Sequence, residues 1–561
     1  MVKKIYGVDL TFNNIPLDDQ KTWNLIGNGQ TLGVFQFASQ LAISVVTKIK
    51  PQNIEELSAA NAFIRPGASG LDEYNIAKKD PSKRIKLHPN LDTTLEPTYG
   101  SIVYQEQIMS LIASVQGIDF GEADEYRRML EKAGKWPDKV AAWKKEFIAA
   151  GLSNGYDKKL IDLLVQLIID NSGYGFNKSH AVSYSIISYW TAYMKANYPL
   201  VFYTAMLNGN LDDADLFMAE ARKLNIQILP PHVNHSRMLF SIEGNGIRAG
   251  FNAIKGVGPK AVQSIISTQP YQSIDNYFGK NEKAAINKGV VTALIKAGAF
   301  SDMGIAIGED DIPSELDDKF KYDVVDGVKN IFLTREQMEL WNDYVNEGNA
   351  KKTVKNYLVP PEMVKGKYFD KYELVEEKDG GIVVPEDRLA DLDLKLKDLP
   401  SQDSTRKKPK GSFDKALDPM KDVSAFRKPF ILYHNEISKV SLSYLDKYLK
   451  ESVELGFSFL PHPLEKNIDK IDIYDEIEDD HMMTTAGIIT SIVERKTKRG
   501  NPFYWVTVKS PRDSVRITLW DNQMQAYKDY IKKYNLIVVR GQKGFGGIGC
   551  DQLKLINFKN Q

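Results

Sequence analysis

The chain has 561 residues, which is too long for a single hydrophobic core and predicts two to four domains. Apolar residues at 43% and charged residues at 26% indicate globular protein, neither a disordered chain nor a membrane protein. Lys plus Arg equals Asp plus Glu at 73 each, and Cys550 is the single cysteine. These counts argue against a globally basic nucleic-acid binder, a disulfide-rich secreted protein and a cysteine-based zinc module. The N-terminus lacks the apolar segment of a signal peptide, so a cytoplasmic protein without membrane association is expected.

The predicted elements change character along the chain. Helical periodicity dominates from about residue 15 to 240, as in KKLIDLLVQLIID. Residues 241–305 shorten into a strand-like FSIEGNGIRAGF and small helices joined by glycine-rich turns. Residues 306–425 lose strong periodicity and are interpreted as a variable region and linker, followed by a connector at 426–480. Period-two alternation at 481–561 predicts a small β-barrel, so the expected fold class is multidomain α+β.

The segment SGYGFNKSHAVSYS joins a glycine-containing turn to the start of a predicted helix. Asn177, Lys178, Ser179 and His180 place hydrogen-bond donors at this helix N-terminus, where the helix dipole favours anions. The pattern predicts a phosphate-binding site. A helix cap beside a solvated lysine is the alternative.

A second candidate phosphate site is the helix that carries Arg127 and Arg128, with Lys132 one turn beyond and Lys135 near by. Guanidinium groups suit forked contacts with phosphate oxygens. A solvated basic helix face is the alternative. The residue types around Arg65 in IRPGASG and in YQEQIM indicate no chemistry by themselves.

The segment AIKGVGPKAV has the spacing of a helix-hairpin-helix DNA-binding turn. Gly256, Val257, Gly258 and Lys260 form the turn and the start of the next helix, whose backbone N–H groups suit a DNA phosphate. The later segment KGVVTALIKAGAF is expected to supply the partner helices. A purely structural helical hairpin is the alternative.

The terminal β domain combines aromatic and basic residues. Alternation predicts an outward face that carries Trp505, Lys509, Arg516 and Trp520. The turn that precedes this strand pair adds Arg495, Lys496, Lys498 and Arg499. Basic grooves with aromatic rings bind single-stranded DNA, which is the function predicted here. Alternatively, one or both tryptophans fill the barrel.

Several segments resemble, in the same order, segments of the C-family alpha subunit of bacterial DNA polymerase III. They are LGVFQFAS, FIRPG, LEPTYGSIVYQEQIM, YRRML, GYGFNKSHAVSYS, ILPPHVN and AIKGVG. The resemblance implies polymerase fingers at 1–240, a tandem helix-hairpin-helix module at 241–305 and an OB fold at 481–561. It also implies that the incoming nucleotide is bound by Arg127, Arg128 and Lys178, together with Asn177, Ser179 and His180. The chain departs from the family pattern in EKAGK, which leaves the roles of Lys132 and Lys135 open, and in His232, which is interpreted as neutral drift.

The family uses three palm aspartates to hold two Mg²⁺ ions. The Asp-x-Asp pair Asp391 with Asp393 lies in an amphipathic segment and is not predicted to bind metal. The resemblance therefore implies a split polymerase, in which a second polypeptide supplies the palm and its Mg²⁺ and this chain alone is inactive. The apolar segment VFQFASQLAISVV is expected to pack against that partner. A non-enzymatic DNA-binding remnant or regulator is the alternative.

One further segment resembles the short peptides with which family members bind a sliding clamp. It contains Gln337, Leu340 and Trp341 within QMELW. Clamp binding is one hypothesis, and a packed amphipathic turn of a helix is the alternative.

Overall fold

The structure is a computed structural model that describes most of the chain. The described residues are 1–65, 70–173, 175–281, 284–307, 319–325, 328–349, 356–359, 375–376, 382–385, 436–474, 477–497, 500–544 and 546–556. The chain divides into two compact units, one formed by Met1–Gln227 with Leu464–Asn557 and the other built on Ile228–Pro463. Four residues of the sequence predictions lie outside the described residues: Asp391, Asp393, Lys498 and Arg499.

The first unit begins with the helical region that the periodicity predicts. Its helices are α1 (Val2–Tyr6), α2 (Gln20–Gly27), α3 (Gln40–Ile49), α4 (Ile54–Phe63), α5 (Leu71–Lys79), α6 (Pro89–Leu95), α7 (Gln105–Gln116), α8 (Phe120–Glu131), α9 (Pro137–Ser153), α10 (Lys158–Ser172), α11 (Lys178–Asn197), α12 (Pro199–Gly209) and α13 (Ala214–Lys223). Two hydrophobic cores lie among them, one around α2, α3, α4 and α11 and the other around α7 to α10.

Helix α11 is fixed near its C-terminal end by polar contacts with distant parts of the chain. The Lys195 side chain is 3% exposed, and its ammonium donates to the Leu32 carbonyl at 2.8 Å and forms an ion pair with Glu220 at 2.8 Å. Burial lowers the pKa of Lys195, and the Glu220 carboxylate opposes that shift. The Asn197 side chain donates to Asp19 at 2.9 Å. This end of α11 is therefore tied to the loop before α3 and to the start of α2.

The segment VFQFASQLAISVV, expected to pack against a partner, has both buried and exposed apolar residues. Val34, Phe37, Val45 and Val46 are buried in the core around α11, whereas Phe35 and Leu41 are exposed. Further exposed apolar side chains lie before α2. These are Ile5, Tyr6, Val8, Phe12 and Leu17, and Phe12 is 72% exposed.

The first unit also contains a closed five-stranded barrel. Its strands are β10 (Met482–Lys496), β11 (Pro502–Lys509), β12 (Ser514–Trp520), β13 (Leu536–Gly544) and β14 (Gly547–Leu555). They are ordered β10-β11-β12-β14-β13, and β12 pairs in parallel with β14 while the other pairs are antiparallel. The barrel interior holds Val506, Val508, Ile517 and Leu519, as the alternation predicts. The barrel is OB-like, and a short helix, α19 (Asp521–Ala526), follows its third strand.

The second unit mixes short strands and helices. Its strands are β1 (Gln227–Leu229), β2 (Ser241–Glu243), β3 (Gly246–Arg248), β4 (Gly304–Ile307), β5 (Lys321–Val325), β6 (Val328–Phe332), β7 (Asn356–Val359), β8 (Val375–Glu376) and β9 (Ile382–Pro385). Its helices are α14 (Pro259–Thr268), α15 (Ile274–Lys280), α16 (Lys288–Lys296), α17 (Arg335–Asn349) and α18 (Tyr444–Leu455). Strand structure was predicted for the segment that forms β2 and β3. The strands after residue 303 were not, because strands of two to five residues are too short for alternation to stand out.

These elements confirm the predicted multidomain α+β class, with mainly helical regions and a small barrel. No described helix has the length and apolar composition needed to cross a membrane.

Candidate functional site

The predicted phosphate site at the start of α11 is filled by a carboxylate of the protein itself. Both oxygens of Glu106 accept the backbone N–H of Lys178, at 3.0 and 3.1 Å, and the carboxylate also accepts the Asn177 side-chain amide at 3.1 Å. Glu106 lies in the first turn of α7. The helix N-terminus attracts an anion as predicted, but that anion is Glu106.

Asn177 is the N-cap of α11 and connects the other predicted residues. Its side-chain oxygen accepts the backbone N–H of His180 at 2.8 Å and the hydroxyl of Ser179 at 2.8 Å. The helix-cap alternative is therefore the one that describes Asn177, Ser179 and the backbone of His180.

The Lys178 side chain extends away from these backbone contacts. Its ammonium lies 3.5 Å from the Glu55 carboxylate and 5.7 Å from the centroid of the Tyr104 ring, and the side chain is 36% exposed. The ion pair is weak at this distance and exposure. Burial, together with the nearby carboxylates of Glu55 and Glu106, raises the pKa of Tyr104, which stays neutral.

Arg65 and the segment YQEQIM, which indicated no chemistry by themselves, lie near the start of α11. The segment before α7 pairs with the segment before α11, since Gln105 N–H donates to the Phe176 carbonyl at 2.9 Å and Phe176 N–H donates to Val103 at 3.0 Å. A side chain at Gly175 would crowd the Gln105 backbone at 3.1 Å, so this close pairing favours glycine. The Arg65 guanidinium lies over the Phe176 ring at 4.7 Å. Glu106 and Arg65 were missed because only the fold brings them here.

The paired arginines of α8 have different surroundings. Arg127 is buried and forms ion pairs with Asp124 at 2.9 Å and Glu131 at 3.1 Å. Arg128 pairs with Asp124 at 2.8 Å, but its side chain is 71% exposed. The expectation that both arginines are available to phosphate is therefore wrong for Arg127, because its guanidinium is held within α8. Lys132 and Lys135 are exposed at the end of this helix.

The predicted DNA-binding turn in the second unit presents its backbone. Val257 is buried, whereas Gly256, Gly258 and Lys260 are exposed. Gly256 has a φ of +91°, which favours glycine, and open space surrounds the position of a side chain at Gly258. Helix α14 begins directly after Gly258, and no side chain of the described residues caps it. Its first N–H groups are thus available to a ligand such as a phosphate.

The barrel has aromatic and basic residues on its outside. Trp505 is partly buried, with Arg516 at 4.4 Å and Arg495 at 5.1 Å from its ring centroid. Trp520 is 50% exposed, and Lys496 is exposed at the end of β10. Since neither tryptophan lies in the barrel interior, the core alternative is wrong. Lys509, predicted on the same face, is instead ion-paired with Asp215 of α13.

The clamp-binding hypothesis is contradicted by the packing of α17. Trp341 is fully buried and Leu340 is partly buried. The Gln337 side chain accepts the Thr334 N–H at 2.9 Å, at the start of the helix. A clamp peptide must offer its glutamine and aromatic side chains to the partner, whereas here both serve the unit's own fold.

His232, whose departure from the family pattern was interpreted as neutral drift, makes structural contacts in the second unit. Its ring is buried, and Nε2 lies 2.8 Å from the Asp302 carboxylate and 3.0 Å from the Ser301 carbonyl. The His235 ring lies beside it in a tilted arrangement, at a centroid distance of 4.7 Å. Within the described ranges, no three His, Cys, Asp or Glu side chains are grouped so that they could hold a metal ion.

Comparison with known proteins identifies two parts of the chain. Residues 1–155 match the bacterial DNA polymerase III alpha subunit finger domain, and residues 225–306 match a helix-hairpin-helix motif. DNA polymerase III subunit alpha of Borreliella burgdorferi is 38% identical over 303 residues, which are 53% of this chain and 26% of that protein. The corresponding protein of Aquifex aeolicus is 38% identical over 310 residues, which are 54% of this chain and 26% of the relative. The chain thus spans about a quarter of the length of these relatives. By these matches, the N-terminal half of the chain is similar to part of the alpha subunit of bacterial DNA polymerase III.

Proposed function

We propose that this chain binds the incoming nucleotide and DNA during template-directed DNA synthesis, and that a palm on a second polypeptide completes the polymerase. The observation that carries the proposal is the succession of two matches on one chain, polymerase fingers followed by a helix-hairpin-helix motif. The relatives that share this half of the chain are named DNA polymerase III subunit alpha.

Lys178 and Arg128 are the groups proposed to bind the nucleotide triphosphate. Both are cations with solvent-accessible side chains. Among the described residues, Arg128 pairs with Asp124 and Lys178 pairs weakly with Glu55. A triphosphate can replace those partners at small cost, because exposed ion pairs contribute little to stability. Arg127 is proposed to support the site indirectly by holding Asp124 in place.

DNA is proposed to contact two further surfaces. The exposed turn from Gly256 to Lys260 suits duplex phosphates, because backbone N–H groups bind phosphate without regard to sequence. The barrel face with Arg495, Arg516 and Trp520 suits a single strand, because cations bind its backbone while an open ring stacks on a base.

The proposed palm supplies the Mg²⁺ ions. The described residues do not fit this metal, since they contain no group of three acidic or other ligating side chains. Two Mg²⁺ ions activate the primer hydroxyl and stabilise the triphosphate in such enzymes. The role proposed for this chain is to bind and orient the nucleotide and the DNA. The exposed apolar side chains before α2, among them Phe12, are proposed to pack against the palm.

Primer extension tests the proposal. The purified 561-residue chain is assayed alone and with the candidate palm polypeptide, and extension is expected only from the mixture. Robust extension by the chain alone would refute the split arrangement. Failure of the two polypeptides to form a complex, with DNA binding retained, would favour a DNA-binding regulator.

A further inference from the structure

The Glu106 carboxylate connects the beginning of α7 to the beginning of α11. It accepts the Lys178 N–H with both oxygens and the Asn177 amide with one. These partners are the backbone and the N-cap of α11, whereas the Lys178 ammonium pairs with Glu55. The positive end of the helix dipole attracts an acidic side chain to this place.

We propose that Glu106 is a positioning residue for nucleotide binding, which acts by fixing the backbone that carries Lys178. The inference rests on the proposed function, since Glu106 acts through Lys178. A lysine side chain has a flexible four-carbon stem, so the position of its ammonium depends on how well its backbone is fixed. A fixed backbone reduces the conformational entropy lost when the triphosphate binds.

Glu106 also affects residues beyond Lys178, because it hydrogen-bonds to Asn177, which in turn contacts Ser179 and His180. The amide nitrogen of Asn177 donates to Glu106, while its oxygen caps His180 and accepts from Ser179. One carboxylate therefore orders the whole first turn of α11.

An opposite role would have Glu106 compete with the triphosphate and leave when nucleotide binds. The backbone geometry favours the positioning role. Gln105, the neighbour of Glu106, donates to the Phe176 carbonyl at 2.9 Å, and Gly175 lies against the Gln105 backbone. The two segments are joined by their main chains, so Glu106 is held beside the Lys178 N–H independently of any nucleotide.

Hydrogen exchange of the full 561-residue chain tests the structural part of the proposal. Glu106→Ala should accelerate exchange in the peptide that spans residues 175–180 by about tenfold or more, because it removes the acceptor of the Lys178 N–H. Glu55→Ala is the matched control, since it removes a carboxylate from the Lys178 ammonium without touching the start of α11. Unchanged exchange in Glu106→Ala, or equal acceleration in both variants, would overturn the proposal.

Single-nucleotide insertion by the chain together with its palm polypeptide tests the functional part. Glu106→Ala should raise KM for the nucleotide about tenfold, with kcat and primer-template affinity changed by less than about twofold. Glu106→Gln keeps an acceptor oxygen and should restore most of the wild-type KM. A lower KM in Glu106→Ala would overturn the proposal in favour of competition. If Glu106→Ala does not fold, Glu106→Asp serves instead, because it keeps the charge but shortens the reach.

Lys178→Ala separates this inference from the proposed function. If Lys178→Ala leaves KM unchanged, the nucleotide-binding function fails. If Lys178→Ala raises KM while Glu106→Ala and Glu106→Asp do not, the positioning role of Glu106 alone fails.

Discussion

The Arg516 guanidinium lies 4.4 Å from the centroid of the Trp505 ring, on the outside of the barrel. Arg495 approaches the same ring at 5.1 Å, so two cations cover Trp505. Trp520, by contrast, is half exposed. Because base stacking requires an open ring face, the two tryptophans are expected to have different roles: Trp520 stacks on a base, and Trp505 holds the two guanidiniums.

Substitution of these tryptophans should affect single-strand binding in different ways. Trp520→Ala should weaken binding by roughly 1–3 kcal/mol with little change in its salt dependence, because a stacking contact carries no charge. Trp505→Ala should also make the salt dependence less steep, because it releases two phosphate-binding cations. Fluorescence anisotropy with labelled single-stranded DNA at several salt concentrations measures both quantities. Trp136→Ala is the matched control, since Trp136 is 46% exposed but lies at α9. Equal affinities of Trp520→Ala and Trp136→Ala would contradict the stacking role.

The two arginines of α8 should separate stability from nucleotide use. Arg128→Ala should lower kcat/KM for the nucleotide in the reconstituted polymerase, because an exposed charged contact to phosphate is lost. The decrease should correspond to a loss of roughly 1.5–3 kcal/mol of interaction free energy. Arg127→Ala should mainly lower the free energy of unfolding, by about 1–3 kcal/mol, because its buried ion pairs are lost. Steady-state kinetics and thermal unfolding measure the two effects. Lys158→Ala is the control, because it removes a different exposed, ion-paired cation. It should change neither kcat/KM nor the free energy of unfolding. A larger kinetic defect in Arg127→Ala than in Arg128→Ala would contradict the assignment.

Two substitutions in the helix-hairpin-helix turn distinguish a side chain that blocks DNA from one that disturbs the fold. Gly258→Val adds a side chain where open space surrounds the backbone, so it should fold normally and yet weaken duplex binding by about tenfold or more. Gly256→Val should also destabilise the second unit, because Gly256 has a φ of +91°. Duplex affinity and thermal unfolding are measured for both, with Gly279→Ala on α15 as the control in open space. If Gly258→Val folds and binds duplex DNA with wild-type affinity, the turn does not contact DNA and its role is structural.

The packing of α17 predicts that substitution of Trp341 lowers stability, whereas the clamp hypothesis predicts that it weakens binding to a sliding clamp. Trp341→Ala should cost about 3–5 kcal/mol of unfolding free energy, because it empties a fully buried site. Leu340→Ala should cost less, because Leu340 is partly exposed, and should not alter capture by an immobilised sliding clamp. The clamp hypothesis would be restored if the clamp captures the wild type but not Leu340→Ala, and if Leu340→Ala keeps its fold.

The sequence predicted the helical region, the strand-like segment that forms β2 and β3, and the barrel, because each is governed by local periodicity. Barrel alternation even assigned the inward positions of Val506 and Ile517 correctly. The surroundings of charged groups could not be predicted in the same way. Glu106 reaches Lys178 across 72 residues of sequence, and the burial of Trp341 depends on packing within its own unit. Neither spacing nor residue type contains that information.

Helix α11 is anchored at both ends, and this has a mechanical consequence. Glu106 holds its first turn, while Leu32, Glu220 and Asp19 hold its last turns. Its 20 residues span about 30 Å at 1.5 Å per residue. Under the proposed function, a load placed on Lys178 by a bound triphosphate would be carried along this stiff rod to the loops before α2 and α3.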